Sequence, residues 1–423
     1  MSIPGPRSLA LAGQLRRYEQ RNVTYLADDF PIFWREANGA TVIDADGNEY
    51  IDCTAAFGVA NVGHSNPHVA RAVADQSTSL IHGLGDVHPT EIRVRLFERL
   101  AALLPEGLDR FFLATTGSEA VEAALKTAML ATGKSRFAAF RGGYHGLSFG
   151  ALAVGGIQRF RQPFARALAQ SPLLLDFPRE GAATSARDAA LETERALAQR
   201  DDLAAIVVEP IQGRAGAIVP PAGYLAELRR ICDERSILLV ADEIFTGFGR
   251  TGRWFAVEHD GIVPDLLCIG KAMGSGVPIS AAAGRAKIMD AWPLSTGEAL
   301  HTSTYLGNPL GCAAALATID ELERLDLANR AERLGTMICA RLEALRSHRG
   351  VKEIRGRGLL LGLRLDRAKR AEAVVRHALR NGAIFLQSGV GGDVITISPP
   401  LVIEENRLLR AIDILEAGLT ESE

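Results

Sequence analysis

Cysteine is scarce in this chain: five residues, at positions 53, 232, 268, 312 and 339, among 423. They are odd in number and scattered, with no CxxC pair and no Cys/His cluster, which argues against a disulfide framework or a thiolate metal site. An excess of either charge is also missing. Forty-seven basic residues against fifty acidic ones leave a formal net charge of −3, so no strong field attracts nucleic acid or an anionic membrane. No stretch approaches the roughly 20 apolar residues of a membrane span. The first residues, MSIPGPRSLALAG, lack the apolar core of a signal peptide. These absences predict a cytoplasmic protein with reduced thiols, no metal, no nucleic-acid or membrane partner, and small molecules as its ligands.

What is present fits a globular protein, 47% hydrophobic and 23% charged. The length exceeds one ordinary domain. The expected division is an N-terminal segment, 1–60, that contributes to a small domain; a large domain, 61–315; and a C-terminal small domain, 316–423. A short helical piece lies around Ala10–Tyr18, and the stretch 31–52 alternates apolar with polar residues around the hairpin signal Asp46-Gly47. Residues 55–63 (AAFGVANVG) are small, which suits a loop near a ligand or any tight crossing. Helical spacing follows at 67–80 and 90–104.

From Arg110 onward, short apolar runs alternate with helical segments: 111–114, a long alanine-rich helix from Glu119, RFAAF, 204–210, a helix at 224–236, 237–241, 266–269 and 279–284. That alternation predicts an α/β fold with a mostly parallel sheet covered by helices on both faces. After Asn308-Pro309 the chain reads helical over 310–345 with a break near 324–326. Then come a strand in GLLLGLRL, a helix at 371–381, strands in AIFLQ and VITISPP, and a final helix, an α+β pattern.

Two strand ends carry chemistry. The run Ile237–Ala241 ends in Asp242-Glu243, and twenty-nine positions after Asp242 the run Leu266–Ile269 is followed by Gly270-Lys271. Ligands of open α/β sheets bind at the carboxyl edge of the strands. A lysine at one strand mouth and an aspartate at another can hold a pyridoxal phosphate ring, the lysine as Schiff base and the aspartate on the pyridinium nitrogen. The same two residues also suit ordinary strand ends. Thr116-Gly117-Ser118, between a strand and a helix, reads either as an anion site or as a plain N-cap. Gly142-Gly143-Tyr144-His145-Gly146 places an aromatic ring where it could stack on a ligand, or where it simply faces solvent.

The combination TGSEAVEAALKTA, GGYHG, VEPIQG, CDERSILLVADEIFTGFGRTG, PDLLCIGKAMGSGVPISAAAG and HTSTYLGNPLGCAAALATI resembles the class III (ω- or ornithine-type) aminotransferases, from about residue 31 to 402. The resemblance implies a fold type I enzyme that uses pyridoxal 5'-phosphate to move an amino group from an amine or amino acid to a 2-oxo acid by a ping-pong route. It implies Lys271 as the Schiff-base lysine and proton carrier, Asp242 on the ring nitrogen, and Ile244 and Tyr144 on the two ring faces, with His145 beside them. Gly117 and Ser118 hold the phosphate. Glu209, the catalytic switch carboxylate, and Gln212 lie near the cofactor. Thr304, with Ser303 beside it, reaches the phosphate of a partner subunit, which implies a homodimer or a dimer of dimers. Racemases or epimerases and aminomutases use the same lysine, but the related aminomutases lack TGFGRTG.

Three positions depart from the ornithine, acetylornithine and γ-aminobutyrate patterns. The arginine that follows (Y/F)HG there is Leu147 here; the arginine of the C-terminal strand is Thr396; and the glutamate after EP(I/V)QG is Arg214. A glutamate left without its arginine would be an unpaired charge near an anionic substrate, and an arginine removes that conflict. Arg214 therefore either supplies the carboxylate-binding charge from the opposite wall or points to solvent. Phe57 and Trp34 are candidates for lining the donor pocket, with core packing as the alternative. Arg250 is expected to be structural or to stand at the mouth of the site.

Overall fold

In the computed structural model the structure describes residues 3–168, 171–181 and 185–422. Its centre is a seven-stranded sheet in the order 110–114, 280–284, 266–269, 238–242, 203–208, 136–140, 173–175. Neighbours from 266–269 to 173–175 run parallel, while 280–284 is antiparallel to both of its neighbours. The sheet is therefore mostly parallel, as the alternation predicts.

Side chains of a strand alternate between faces, so a strand buried on both sides must be apolar throughout. Val240, Leu266 and Cys268 turn to one face and pack with Ala120, Ala124 and Ala128 of the helix Gly117–Thr132. Leu239, Ala241, Leu267 and Ile269 turn to the other, against Leu228, Ile231 and Leu322 of the opposite helices. The alanine-rich face of Gly117–Thr132 lets that helix lie close to the sheet. This fixes where the helix N-terminus arrives.

Two four-stranded sheets flank this centre. One pairs the N-terminal strands 34–38, 41–44 and 49–52 with 383–384, and the other orders 351–357, 360–365, 394–397, 386–388. The stretch read as one strand, AIFLQ, is two: Ala383–Ile384 pairs with Ile51–Asp52, and Leu386–Ser388 pairs with Val394–Thr396. Phe385 between them is buried at the join. Sequence alone also leaves the strand Val351–Arg357 unassigned, because its burial is partial and shows no clean alternation.

Arg250 ties the centre to the C-terminal sheet. It is fully buried and donates to the carbonyl of Leu359 at 3.0 Å and of Pro399 at 2.6 Å, and also to Asn61 Oδ1 at 2.5 Å. Its role is structural.

Residues 55–58 form one turn of left-handed backbone, with φ of 46°, 48°, 64° and 76° at Ala55, Ala56, Phe57 and Gly58. Each non-glycine residue so placed costs about 1–2 kcal/mol. Surrounding bonds hold the turn: Thr54 Oγ1 accepts from the Ala56 N–H at 3.1 Å, and Val59 N–H donates to Ala55 O at 2.7 Å. Ser398 donates from its N–H to Cys53 O at 2.9 Å and from its hydroxyl to Thr54 O at 3.3 Å. The turn carries Phe57 outward, 57% exposed, so Phe57 is not a core residue.

Candidate active site

The carboxyl edge of the central sheet opens into a cavity of about 450 Å³. Lys271 and Asp242 line it from adjacent parallel strands, and Gly117, Ser118, Tyr144, His145, Glu209, Arg214, Ile244 and Phe57 share its wall.

Burial pushes the Lys271 amine down to about 8 against its ordinary 10.5; Asp242 and Glu209 oppose the shift, while Arg214 and Arg250 add to it. Its Nζ stands 4.1 Å from the centroid of the Phe245 ring. That ring is itself wedged between glycines, since a Cβ at Gly58 or Gly213 would meet it at 2.4 and 2.2 Å. An amine near neutrality is nucleophilic and able to exchange protons at physiological pH.

Asp242 Oδ2 lies 2.8 Å from His145 Nδ1, both side chains being buried, and its Oδ1 accepts from the Ile244 N–H at 3.1 Å. A carboxylate only accepts, so Nδ1 carries the hydrogen. Burial opposes a charge on His145, but the bond to Asp242 and the negative charges of Asp242 and Glu209 outweigh it, and its pKa is raised. The other nitrogen, Nε2, is buried without a hydrogen-bond partner among the described residues.

Burial pushes Glu209 up to about 7, against the opposing pull of His145 and two backbone donors. Tyr144 N–H reaches its Oε1 at 2.8 Å and Gly213 N–H its Oε2 at 3.0 Å. No arginine grips Glu209 among the described residues.

The helix Gly117–Thr132 brings its N-terminus to the same wall. Thr116 caps it in a reciprocal box with Glu119, so the N-cap forms immediately ahead of Gly117. Gly117 and Ser118 occupy the first turn, where backbone N–H groups have no partner within the helix. Ser118 Oγ accepts from the Leu147 N–H at 3.1 Å. Glycine is needed on both sides: a Cβ on Gly117 would meet Ile244 at 2.7 Å, and one on Gly146, at φ 116°, would meet Ser118 Oγ at 1.9 Å.

Pyridoxal phosphate fits these donors and acceptors. A carboxylate hydrogen-bonded to His145 matches a ring nitrogen, a helix N-terminus with a serine matches a phosphate, and an amine whose pKa burial has lowered matches an aldehyde. Gly146→Ala is expected to weaken cofactor binding about 10–100-fold, the equivalent of the ~1–3 kcal/mol of strain at such a position. Equilibrium dialysis of the cofactor measures it, and unchanged retention would show that the Gly146 contact is unimportant.

Two residues expected near the site stand elsewhere. Gln212 is buried and donates from Nε2 to Arg141 O at 2.9 Å, bracing the loop that leads to Tyr144 rather than facing the cavity. Trp34 is exposed and meets the His64 ring edge-on at 5.6 Å, away from the cavity and outside any core. Ser303 and Thr304 are exposed and do not line their own chain's cavity. Leu147 is also exposed and off the wall. Conversely, Thr116, Gly146, Gly213, Phe245, Leu386, Gln387 and Ser388 join the lining. The strand Leu386–Ser388 gave no local signal of this, because its approach depends on pairing with Val394–Thr396.

Such a constellation, at the carboxyl edge of a sheet with this strand order, is that of a fold type I pyridoxal-phosphate-dependent transferase. The sequence model of the class-III aminotransferases matches residues 24–419, and the chain belongs to that family. It is 39% identical over 394 residues to the acetylornithine aminotransferase of Methanopyrus kandleri, covering 93% of this chain and 95% of that one. To the 4-aminobutyrate aminotransferase of Mycobacterium leprae it is 37% identical over 436 residues, covering 98% and 96%. The solved ornithine aminotransferase of Toxoplasma gondii, in which the cofactor partly occupies the active site, superposes with a TM-score of 0.87 at 33% identity, covering 97% of this chain and 94% of that one. The protein is an aminotransferase that passes amino groups to 2-oxo acids.

Proposed function

We propose that this aminotransferase takes nitrogen from an amine or ω-amino acid and gives it to a 2-oxo acid that is gripped through a single carboxylate. The observation that carries this is the charge of the wall: among the described residues, Lys271 and Arg214 are the only lysine or arginine side chains lining the cavity.

Pyridoxal phosphate, when bound, supplies the electron sink for the carbon that carries the transferred nitrogen. Lys271 Nζ would hold the cofactor through its aldehyde and would move the proton at that carbon; its lowered pKa suits both tasks. Asp242 would favour positive charge at the ring nitrogen, and His145 fixes the carboxylate through Nδ1. Gly117 and Ser118 would hold the phosphate, while Tyr144 and Ile244 would confine the ring. Glu209, tied to two backbone N–H groups, keeps a carboxyl beside Lys271 without engaging Arg214. Phe57, thrust out by its left-handed turn, limits the donor side. Arg214 supplies the carboxylate-binding charge: its guanidinium has no ion pair among the described residues and lies 5.8 Å from the Tyr144 ring centroid and 5.6 Å from that of Phe160.

A second copy of the chain completes the assembly. Ile81, Leu84 and Val87 are exposed close to Tyr305, joined through Asn308 Nδ2 to Ile81 O at 3.1 Å and Thr302 Oγ1 to Asp86 Oδ2 at 3.3 Å. Apolar patches of this kind mark interfaces. Thr304 lies within this one and is free to reach a neighbour's phosphate.

The test is the visible absorbance band of the loaded enzyme, titrated with a carboxylate-free amine, an ω-amino acid, a diamine and an α-amino acid. Loss of the band with a carboxylate-free amine or ω-amino acid, and its return on adding pyruvate, is the expected outcome. A band that stays while the α-hydrogen of an amino acid exchanges with deuterium would replace transamination by epimerisation.

A further inference from the structure

On the cavity wall facing the loop of Arg214 stand two hydroxyl groups that the cofactor chemistry does not use. Ser388 Oγ and Thr396 Oγ1 are 2.5 Å apart, and both residues line the cavity. Thr396 is only 3% exposed, while Ser388 is half-buried. Two hydroxyls in contact share one hydrogen between them and leave the second to donate elsewhere. With Thr396 enclosed, the arrangement that wastes no hydrogen has Thr396 donating to Ser388 and Ser388 donating into the cavity.

The pair is locked to Arg214. Gly389, next to Ser388, donates its N–H to the Arg214 carbonyl at 3.1 Å. Arg355 of the same C-terminal sheet donates from Nε to Gly216 O at 2.6 Å and from Nη2 to Ala215 O at 3.2 Å. The loop closes so tightly on the sheet that a Cβ at Gly216 would meet Val394 at 2.8 Å. The backbone that carries Arg214 and the strand that carries the hydroxyl pair therefore belong to one braced unit, which lowers the ordering cost of binding.

We propose that Arg214, Ser388 and Thr396 form one subsite for a single carboxylate, and that the oxo acid accepted is a monocarboxylic one. The proposal rests on the assignment of Arg214 given above and adds Ser388 as a binding residue, with Thr396 as the residue that positions it. One guanidinium balances one negative charge, and the neighbouring groups on this wall, Ser388, Thr396 and Gln387, are neutral. A second carboxylate would be taken from water without a matching cation, which is costly. Arg159 lies 4.8 Å from the Phe160 ring centroid, but it is exposed and does not line the cavity.

The experiment measures calorimetric binding of propionate and of glutarate to the holoenzyme, wild type and the Ser388→Ala, Thr396→Val and double variants. Neither acid carries an amine or oxo group, so the readout is independent of turnover. Propionate is expected to bind more tightly than glutarate. Ser388→Ala is expected to weaken propionate about 10–100-fold, the loss of a hydrogen bond to a charged group. Thr396→Val should weaken it less, and the double variant no more than Ser388→Ala, because the two hydroxyls act as a unit. The cofactor content and the visible band of the resting holoenzyme should stay at wild-type values in all three, which a general structural defect would not allow. Tighter binding of glutarate, or variants that bind propionate like wild type, would overturn the subsite. A wild-type band that ignores every donor while propionate binding follows the pattern above would instead remove the donor and acceptor reading and leave the subsite standing.

Discussion

Lys271→Ala is expected to slow transamination by about 10²–10⁴-fold through loss of proton transfer alone, with loss of the covalent link to the cofactor adding to it. Single-turnover absorbance of the loaded variant measures this, and a small primary amine added to solution should restore part of the rate. The wild-type lysine carries a pH signature as well. Its pKa in the cofactor-free chain is pushed down to about 8 by burial, from 10.5. Only the neutral amine attacks the aldehyde, so protonation slows loading. The loading rate should rise about tenfold per pH unit below about 8 and level off above it. An ordinary lysine would keep climbing past pH 10. Full activity in Lys271→Ala, or a loading rate still rising at pH 10, would remove Lys271 from its assigned place.

Asp242→Asn is expected to lower kcat by about 10²–10³-fold, the scale for removing one preorganised electrostatic group. Asparagine keeps the shape and can still accept from the Ile244 N–H, so the loss reports charge rather than packing. The same change should be visible at His145. Its pKa is raised only because the bond to Asp242 and the nearby negative charges outweigh burial. With Asp242 neutral, the burial contribution gains and the pKa falls, which an NMR titration of the imidazole detects. A variant with lowered kcat and an unmoved His145 would mean that Asp242 acts through something other than its charge.

Much of this site was legible in the chain because its main residues end buried strands. Runs such as Ile237–Ala241 and Leu266–Ile269 are apolar on both faces, and the polar residue that follows each must emerge at the sheet edge. The structure sets those two strands side by side and parallel, bringing Asp242 and Lys271 into one cavity. Gly117 and Ser118 were readable for a similar reason, as they stand where a strand gives way to a helix.

Other residues depended on directions that local sequence does not encode. Gln212 and Arg214 are two positions apart, yet one turns back to the carbonyl of Arg141 and the other into the cavity. Phe57 looked like a packing residue until the left-handed turn, held by Ser398 from the far end of the chain, turned it outward. Trp34 was exposed by the opposite circumstance, lying in a strand whose residues are largely open to solvent.

The sequence by itself determined the alternation of strands and helices around the central sheet, the lysine and aspartate at strand ends, and the helix start at Gly117, because periodicity and strand ends are local consequences of burial. Only the tertiary structure decided that Ser388 and Thr396 stand against Arg214, that Glu209 is held by backbone rather than by an arginine, and that Phe57 faces the cavity. Those placements follow from hydrogen bonds and close contacts between segments far apart in the chain, and they exist only once the sheets have packed.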